Sequence, residues 1–274
     1  MNGNIYILGD IHGDITPIDN FMKNNDIPHT DEDILILLGD VGANYYLNGR
    51  DKKFKKKLCK YNLTYFCIRG NHEERPSILA EQSPNDWHYD ELFGNSTIVE
   101  NEFPQIHYAL DIPAIYNLPL DNREVPALVI PGAYSVDKNY RLEKGWQWFE
   151  HEQLTLEEME EGRKLFNEPF EIVLTHTCPL SLEPIDLFLN AVDQLTVDKS
   201  MEIYLEELFK KLIDDERTTF WFFGHYHQTR IYRQYGNHIN PIMLFNDAVY
   251  SFKHYNQDQY PWYYNLYSIK GGNN

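Results

Sequence analysis

Five short blocks hold the side chains of this chain best placed to do chemistry: Gly9-Asp10-Ile11-His12-Gly13-Asp14, Gly39-Asp40, Gly70-Asn71-His72-Glu73, Thr175-His176 and Gly224-His225-Tyr226-His227. Each supplies carboxylate, amide or imidazole groups, and all but the fourth follow an apolar run that ends in a glycine. That pattern sets ligands at strand ends and describes a site for two metal ions.

Asp10 and His12 stand two apart just past a strand, so an extended chain turns them to the same side, where a carboxylate and an imidazole can share one cation. Asp40 follows a second strand, and a carboxylate between two cations can bridge them at the separation that in-line displacement uses. Asn71 offers only its amide oxygen, and His176, His225 and His227 complete the set. Oxygen and nitrogen donors without thiolate favour manganese, iron or zinc over copper(I) or purely structural zinc. Taken singly the blocks say less, because a lone Gly-Asp after a strand is more often a turn. Taken in this order, with a ligand type at each strand end, coincidence is a poor explanation.

Short β-branched or aromatic runs must carry these blocks. Ile5–Leu8, Ile34–Leu38, Tyr65–Ile68, Ala127–Ile130, Glu171–Leu174 and Phe220–Phe223 read as buried strands. Helical spacing around Ile18–Met22 and Phe54–Leu58 separates the first three, which implies parallel pairing with right-handed crossovers. Gln105–Leu110, Ile112–Tyr116 and Pro241–Phe245 are further strand candidates and point to a second sheet. Leu154–Phe166, with Thr155 as N-cap and Glu157 and Glu158 in its first turn, and Met201–Ile213 read as amphipathic helices. Glu74–Glu102 and Thr177–Ser200 carry no motif; each follows a ligand block, so both are expected on the site's side as substrate-selecting loops.

The 274 residues, 42% hydrophobic and 15% aromatic, suffice for one sizeable core, and the expectation is one domain over 1–274, with only the Gly271–Asn274 tail disordered. A formal charge of -18 argues against non-specific binding of nucleic acid or anionic membrane, although bound cations would reverse the field locally. Cys59, Cys67 and Cys178 show neither paired nor metal-type spacing, which suits reduced thiols. With no signal-like N-terminal segment and no run of about eighteen apolar residues, the expected location is cytoplasmic.

At this point the residues resemble the calcineurin-like metallophosphoesterases, in a bacterial- or phage-type branch ending in Gly-His-x-His. The family pattern of Asp-x-His, Gly-Asp, Gly-Asn-His-Glu/Asp, His and Gly-His-x-His matches Asp10-Ile11-His12, Gly39-Asp40, Gly70-Asn71-His72-Glu73, His176 and Gly224-His225-Tyr226-His227. The resemblance implies an α/β fold, a four-layer α/β/β/α sandwich with two mixed β-sheets. It implies two divalent ions, one held by Asp10, His12, Asp40 and His227 and the other by Asp40, Asn71, His176 and His225. It also implies attack of a metal-activated hydroxide in line on a phosphoester, which agrees with the chemistry of paired cations. His72, beside a ligand but not one itself, is then the candidate acid for the leaving oxygen.

One departure matters. In the protein Ser/Thr phosphatase branch the Gly-Asp block continues to an Asp that orients the catalytic His and an Arg that grips phosphate, whereas Ala43 and Asn44 stand here. Asn44 can offer hydrogen bonds to substrate but not the paired bonds of Arg. The Pro131–Arg141 segment is the expected substitute, with Arg141 as phosphate clamp and Asp137 positioning it or His72; a loop pinned by a salt bridge is the bland alternative. A backbone carbonyl or another carboxylate could equally orient His72. Trp146 and Trp148 read as packing anchors, Arg69 and Arg75 as partners of acidic residues, and Glu73 as a brace for its loop. Lys52, Lys53, Lys55, Lys56 and Lys57 read as a solvated helix surface, with a docking patch as the functional alternative.

The expected function is hydrolysis of phosphomonoesters, phosphopeptides or nucleotides foremost. A phosphodiesterase or nuclease acting on cyclic or short nucleotides is the alternative, with duplex nucleic acid disfavoured by net acidity. A metal-binding scaffold without catalysis is the third possibility.

Overall fold

The structure, a computed structural model, describes residues 3–24, 30–120, 123–233, 235, 238–253 and 263–268. The Gly271–Asn274 tail lies outside the described residues. In chain order the elements are β1 (Ile5–Leu8), α1 (Thr16–Asn24), β2 (Ile34–Leu37), α2 (Gly49–Leu58), β3 (Thr64–Cys67), α3 (Pro76–Gln82), β4 (Trp87–Leu92), β5 (Asn95–Glu100), β6 (Ile106–Tyr108), β7 (Ala114–Leu120) and β8 (Arg123–Ile130). They continue with α4 (Lys138–Glu143), α5 (Leu156–Arg163), β9 (Ile172–Thr175), α6 (Ser200–Asp214), β10 (Thr219–Phe223), β11 (Arg230–Ile231), β12 (Ile239–Met243), β13 (Ala248–Lys253) and β14 (Tyr263–Ser268).

Two mixed sheets result. One runs β14-β13-β1-β2-β3-β6-β5-β4, with β1, β2, β3 and β6 parallel; the other runs β11-β12-β10-β9-β8-β7, with β12, β10, β9 and β8 parallel. Because β1, β2 and β9 are buried at all four positions, they read as continuous apolar runs rather than alternating ones. Ile7, Ile36, Phe66, Val129, Leu174 and Phe222 form the core between the sheets. The outer faces are covered by helices: Ile18, Phe21, Phe54 and Leu58 close over the first sheet, and Met159, Tyr204, Leu205 and Leu208 over the second. This is the expected four-layer arrangement. Among the described residues no helix is long and apolar enough to cross a membrane.

The helix starting after Thr155 has a complete capping box: Thr155 Oγ1 accepts from Glu158 N at 3.2 Å, and Glu158 Oε2 accepts from Thr155 N at 2.8 Å. It ends at Arg163 and tightens into a 3-10 turn over Lys164–Asn167, shorter than the sequence spacing implied. Two further expectations change. Gln105–Leu110 becomes β6, which joins the first sheet beside β3 rather than the second. Glu74–Glu102 is not a substrate loop: it forms α3 and the β4–β5 hairpin at the far edge of the first sheet. The lysine run is largely the expected solvated helix surface: Lys52, Lys53, Lys56 and Lys57 are exposed, with Lys52 and Lys56 pairing with Glu102, while Lys55 is buried against Glu100 at the end of β5.

Candidate metal centre

All five blocks lie at the same end of the two sheets. Asp10 and His12 follow β1, Asp40 follows β2 and Asn71 and His72 follow β3, while His176 follows β9 and the Gly224–His227 block follows β10. The turns are tight enough that His12, Asp40, His225 and His227 all have positive φ, from 45° to 70°, although none is glycine. Such backbone is costly for residues with a Cβ and gathers where a site demands it. The glycines make the remaining room. A Cβ on Gly70 would stand 2.1 Å from Asp40 Oδ1, and one on Gly224 would stand 2.2 Å from Asp10 Oδ1.

Two clusters share Asp40. In the outer one, His12 Nε2 and His227 Nε2 are 2.9 Å apart, and His227 Nε2 lies 3.6 Å from Asp10 Oδ2. His12 Nδ1 is 4.0 Å from Asp40 Oδ2. In the inner cluster His176 Nε2 lies 2.9 Å and His225 Nδ1 3.1 Å from Asn71 Oδ1, and His176 Nε2 is 3.5 Å from Asp40 Oδ1. The two oxygens of one carboxylate thus face different sets of donors. His176 Nδ1 donates to the Leu38 carbonyl at 2.7 Å, which leaves Nε2 as the atom turned to the cluster.

The donor set fits divalent cations. Asp10 and Asp40 are buried, and among the described residues their ion-pair partners are imidazoles alone, with no Lys or Arg. Buried carboxylates without a cation are costly. Burial lifts Asp10 to about 6, with His176 opposing. Burial acts against a charged His176, yet Asp40 and Asp10 lift it to about 9; burial and then His12 press His227 down to about 4. Asp40 and Asp10 thus favour positive charge at this point of the cluster, the charge a bound cation would bring to the same two carboxylates.

Outside the clusters, His72 Nε2 lies 3.9 Å from Asp40 Oδ2, and its ring meets His12 edge-on at 5.2 Å. Burial lowers its pKa, with Asp40 opposing and Arg141 reinforcing. Arg141, on α4, is completely buried. Its Nη1 donates to Ser135 Oγ at 3.1 Å and stands 3.8 Å from Asp137 Oδ1, while Nε and Nη2 have no hydrogen-bond partner. Those two nitrogens form the edge of guanidinium that takes two oxygens at once. Arg141 also lines a cavity of about 200 Å³, together with His12, Tyr45, Tyr46, His72, Asp137 and Trp146. A second, of about 240 Å³, reaches from Asn71, His225 and His227 past His72 and Asp137 to the segment over 183–199.

Asn44 is not brought to the site. It is buried beside the Tyr108 hydroxyl, its carbonyl accepts from Glu74 N, and it lines neither cavity. Trp146 is half exposed and lines the Arg141 cavity instead of packing inward. Glu73 braces its loop as expected, accepting from Gly42 N and Ala43 N at 2.8 and 3.2 Å, and Arg69 and Arg75 pair with Asp111 and Glu158. Sequence reasoning missed the node that ties the centre together. Ser135 Oγ accepts from Asn71 Nδ2 at 2.8 Å and from Arg141 Nη1, and donates to buried Glu152 at 2.5 Å. One hydroxyl therefore turns the Asn71 oxygen to the inner cluster and holds Arg141 in place.

With that geometry in place, comparison with known proteins is informative. The family model of the calcineurin-like phosphoesterases matches residues 3–229. The chain belongs to the calcineurin-like phosphoesterase family. Members are generally hydrolases, and the acidic and histidine groups here are able to bind metal, as the family requires. The chain is similar in fold to TT1561 of Thermus thermophilus, at 13% identity and a TM-score of 0.50, over 98% of this chain and 99% of that one. It is also similar to GAP50, the anchor in the inner membrane complex of Plasmodium, at 11% identity and a TM-score of 0.51, over 98% and 85% of the two chains. No curated protein matches the chain by sequence.

Proposed function

We propose that this phosphoesterase holds two divalent ions and hydrolyses phosphomonoesters. The observation that carries the proposal is Asp40, whose Oδ1 faces His176 at 3.5 Å and whose Oδ2 faces His12 at 4.0 Å, so that one carboxylate serves both clusters. Asp10, His12, Asp40 and His227 hold one ion; Asp40, Asn71, His176 and His225 hold the other; manganese, iron or zinc suits such donors. Bound there, such ions would supply Lewis acidity to the phosphoryl group and to a nucleophilic water.

The chain's own residues do the rest. The Nε and Nη2 atoms of Arg141, buried and unpartnered at the wall of the cavity of about 200 Å³, are the pair of donors available to grip two phosphoryl oxygens and fix the ester in line, taking over from the Arg that the Gly-Asp block lacks. Asp137 restrains Arg141 and, beside His72, opposes the loss of its proton. His72 gives that proton to the leaving oxygen, and a phosphoryl dianion against the ring favours its charged form. A phosphodiesterase is a second reading because His72 and Asp137 line two cavities, enough for a substituent in each. The unpaired Arg141 edge favours the monoester, whose extra oxygen charge it matches. Nitrophenyl phosphate and its bis-ester, assayed with manganese, separate the two. The expected result is faster hydrolysis of the monoester, lost in Asp40→Asn; an inert, metal-loaded protein, or Asp40→Asn at full rate, contradicts it.

A further inference from the structure

The cavity of about 240 Å³ has two unlike ends. One is the metal centre. The other is a wall over 183–199, where Leu187, Phe188, Leu189, Val192 and Val197 present apolar side chains beyond His225 and Tyr226. The wall follows β9 and consists of three short 3-10 turns, Leu180–Leu182, Ile185–Leu187 and Gln194–Thr196, before α6 begins. Its volume matches on the order of eight waters, a pocket for a small molecule rather than for a polymer.

The polar groups in this apolar part are few and specific. Glu202, at 4% exposure, lines the cavity; its Oε1 accepts from Thr177 Oγ1 at 2.8 Å, while its Oε2 is buried with no hydrogen-bond partner from another residue. A buried carboxyl oxygen without a donor is an unmet demand that a ligand can answer. Lys199 is the one Lys or Arg among the described residues that line the cavity, and it is already taken, donating to Glu183 Oε1 and lying over the Phe188 ring. With Glu183 and Glu202 beside that single ammonium, the far end of the cavity carries a net negative charge and repels anions.

We infer that this cavity holds the alcohol part of the substrate, and that the alcohol is a small apolar group bearing a hydrogen-bond donor or a positive charge that meets Glu202. The inference rests on the monoesterase reading, with the phosphoryl group between the metal clusters and Arg141 and the alcohol directed past His72 to the opposite side. Nucleotides bearing further phosphates, sugar bisphosphates and acidic phosphopeptides are then poor substrates. Burial raises Glu202 to about 7, in keeping with a carboxyl that is short of a partner.

Three benzyl phosphates test this on the manganese-loaded full chain: unsubstituted, 4-aminomethyl and 4-carboxy. The methylene insulates the reacting oxygen from the para group, so differences in kcat/KM report on the pocket. The expected order is aminomethyl, then unsubstituted, then carboxy, with about tenfold between the ends, the worth of one charge-assisted hydrogen bond. Glu202→Gln should shrink the aminomethyl preference, and Val192→Asp, on the partly exposed wall, should lower kcat/KM for the unsubstituted ester relative to the aminomethyl one. Rates equal within about twofold across the three esters, or a preference for the carboxy ester, overturn the inference while leaving phosphoesterase activity intact. Hydrolysis of none of them overturns the monoesterase reading itself.

Discussion

Gly70→Ala is the substitution whose consequence follows most directly from the packing of the metal centre. The added Cβ would lie 2.1 Å from Asp40 Oδ1, 2.9 Å from Asp40 Cγ and 2.4 Å from Asp40 N. The last contact is with backbone, so no change of rotamer relieves it. Either the β3 turn or Asp40 must move by on the order of 1 Å, a misplacement that costs roughly a hundredfold in rate when it reaches the reacting geometry. Overpacking of this kind costs about 1–3 kcal/mol in stability. Because Asp40 Oδ1 also accepts from His72 N at 2.8 Å, the shift disturbs the bridging ligand and the acid together. Nitrophenyl phosphate hydrolysis titrated with manganese, alongside thermal melts with metal and with chelator, reads both effects. The variant should need at least tenfold more manganese, on the order of the loss that follows when ligand support is removed, and its melt should gain less from metal. Gly49→Ala is the control, since nothing lies within 4 Å of a Cβ there, and it should be neutral or stabilising by about 0.4–1 kcal/mol. Wild-type manganese dependence and rate in Gly70→Ala would refute the reasoning.

Three further outcomes are expected. Arg141→Lys keeps the charge but not the paired donors, so kcat/KM for nitrophenyl phosphate should fall by about ten- to a hundredfold while metal content stays at the wild-type level; an unchanged kcat/KM removes Arg141 from the site. His72→Ala should lose about 10²–10⁴-fold on alkyl phosphates and far less on nitrophenyl phosphate, whose leaving group needs no proton, and equal losses on both would exclude His72 as the acid. Burial raises the Glu73 carboxyl from 4.5 to about 7, so between those pH values the native state keeps a proton that the unfolded chain has released, and stability falls as pH rises across that window. In the metal-free protein, Glu73→Gln should flatten the drop in urea stability between about pH 5 and 7.5, and an identical slope would show that Glu73 is not its source.

The ligands were legible because each sits in a local block at the end of a four- or five-residue buried run, as with Ile5–Leu8 before Asp10 and Ile172–Thr175 before His176. Their partnership was not local. Asn71 and Arg141 meet at Ser135, and Ser135 at Glu152, through contacts that span up to 64 residues and leave no periodic trace. The position of Asn44 was misjudged because adjacency to Ala43 and Asp40 in sequence says nothing about which way a turn directs its side chain. The β4–β5 hairpin escaped notice for a different reason. Trp87–Leu92 has no buried position and so no alternation, and the hairpin closes through Phe93-Gly94 with φ of 57° and 72°, a primed turn whose first position rarely takes an aromatic residue. The apolar cavity wall belongs to the same class: 3-10 turns carry neither the helical nor the strand period.

The central claim, two ions sharing Asp40, is tested most directly by anomalous diffraction from crystals grown with manganese. Two peaks are expected about 3.5–4 Å apart, one on each side of the Asp40 carboxylate. One should lie against Asp10, His12 and His227, and the other against Asn71, His176 and His225. A single peak at saturating manganese, or a pair that leaves Asp40 uncoordinated, would contradict the account.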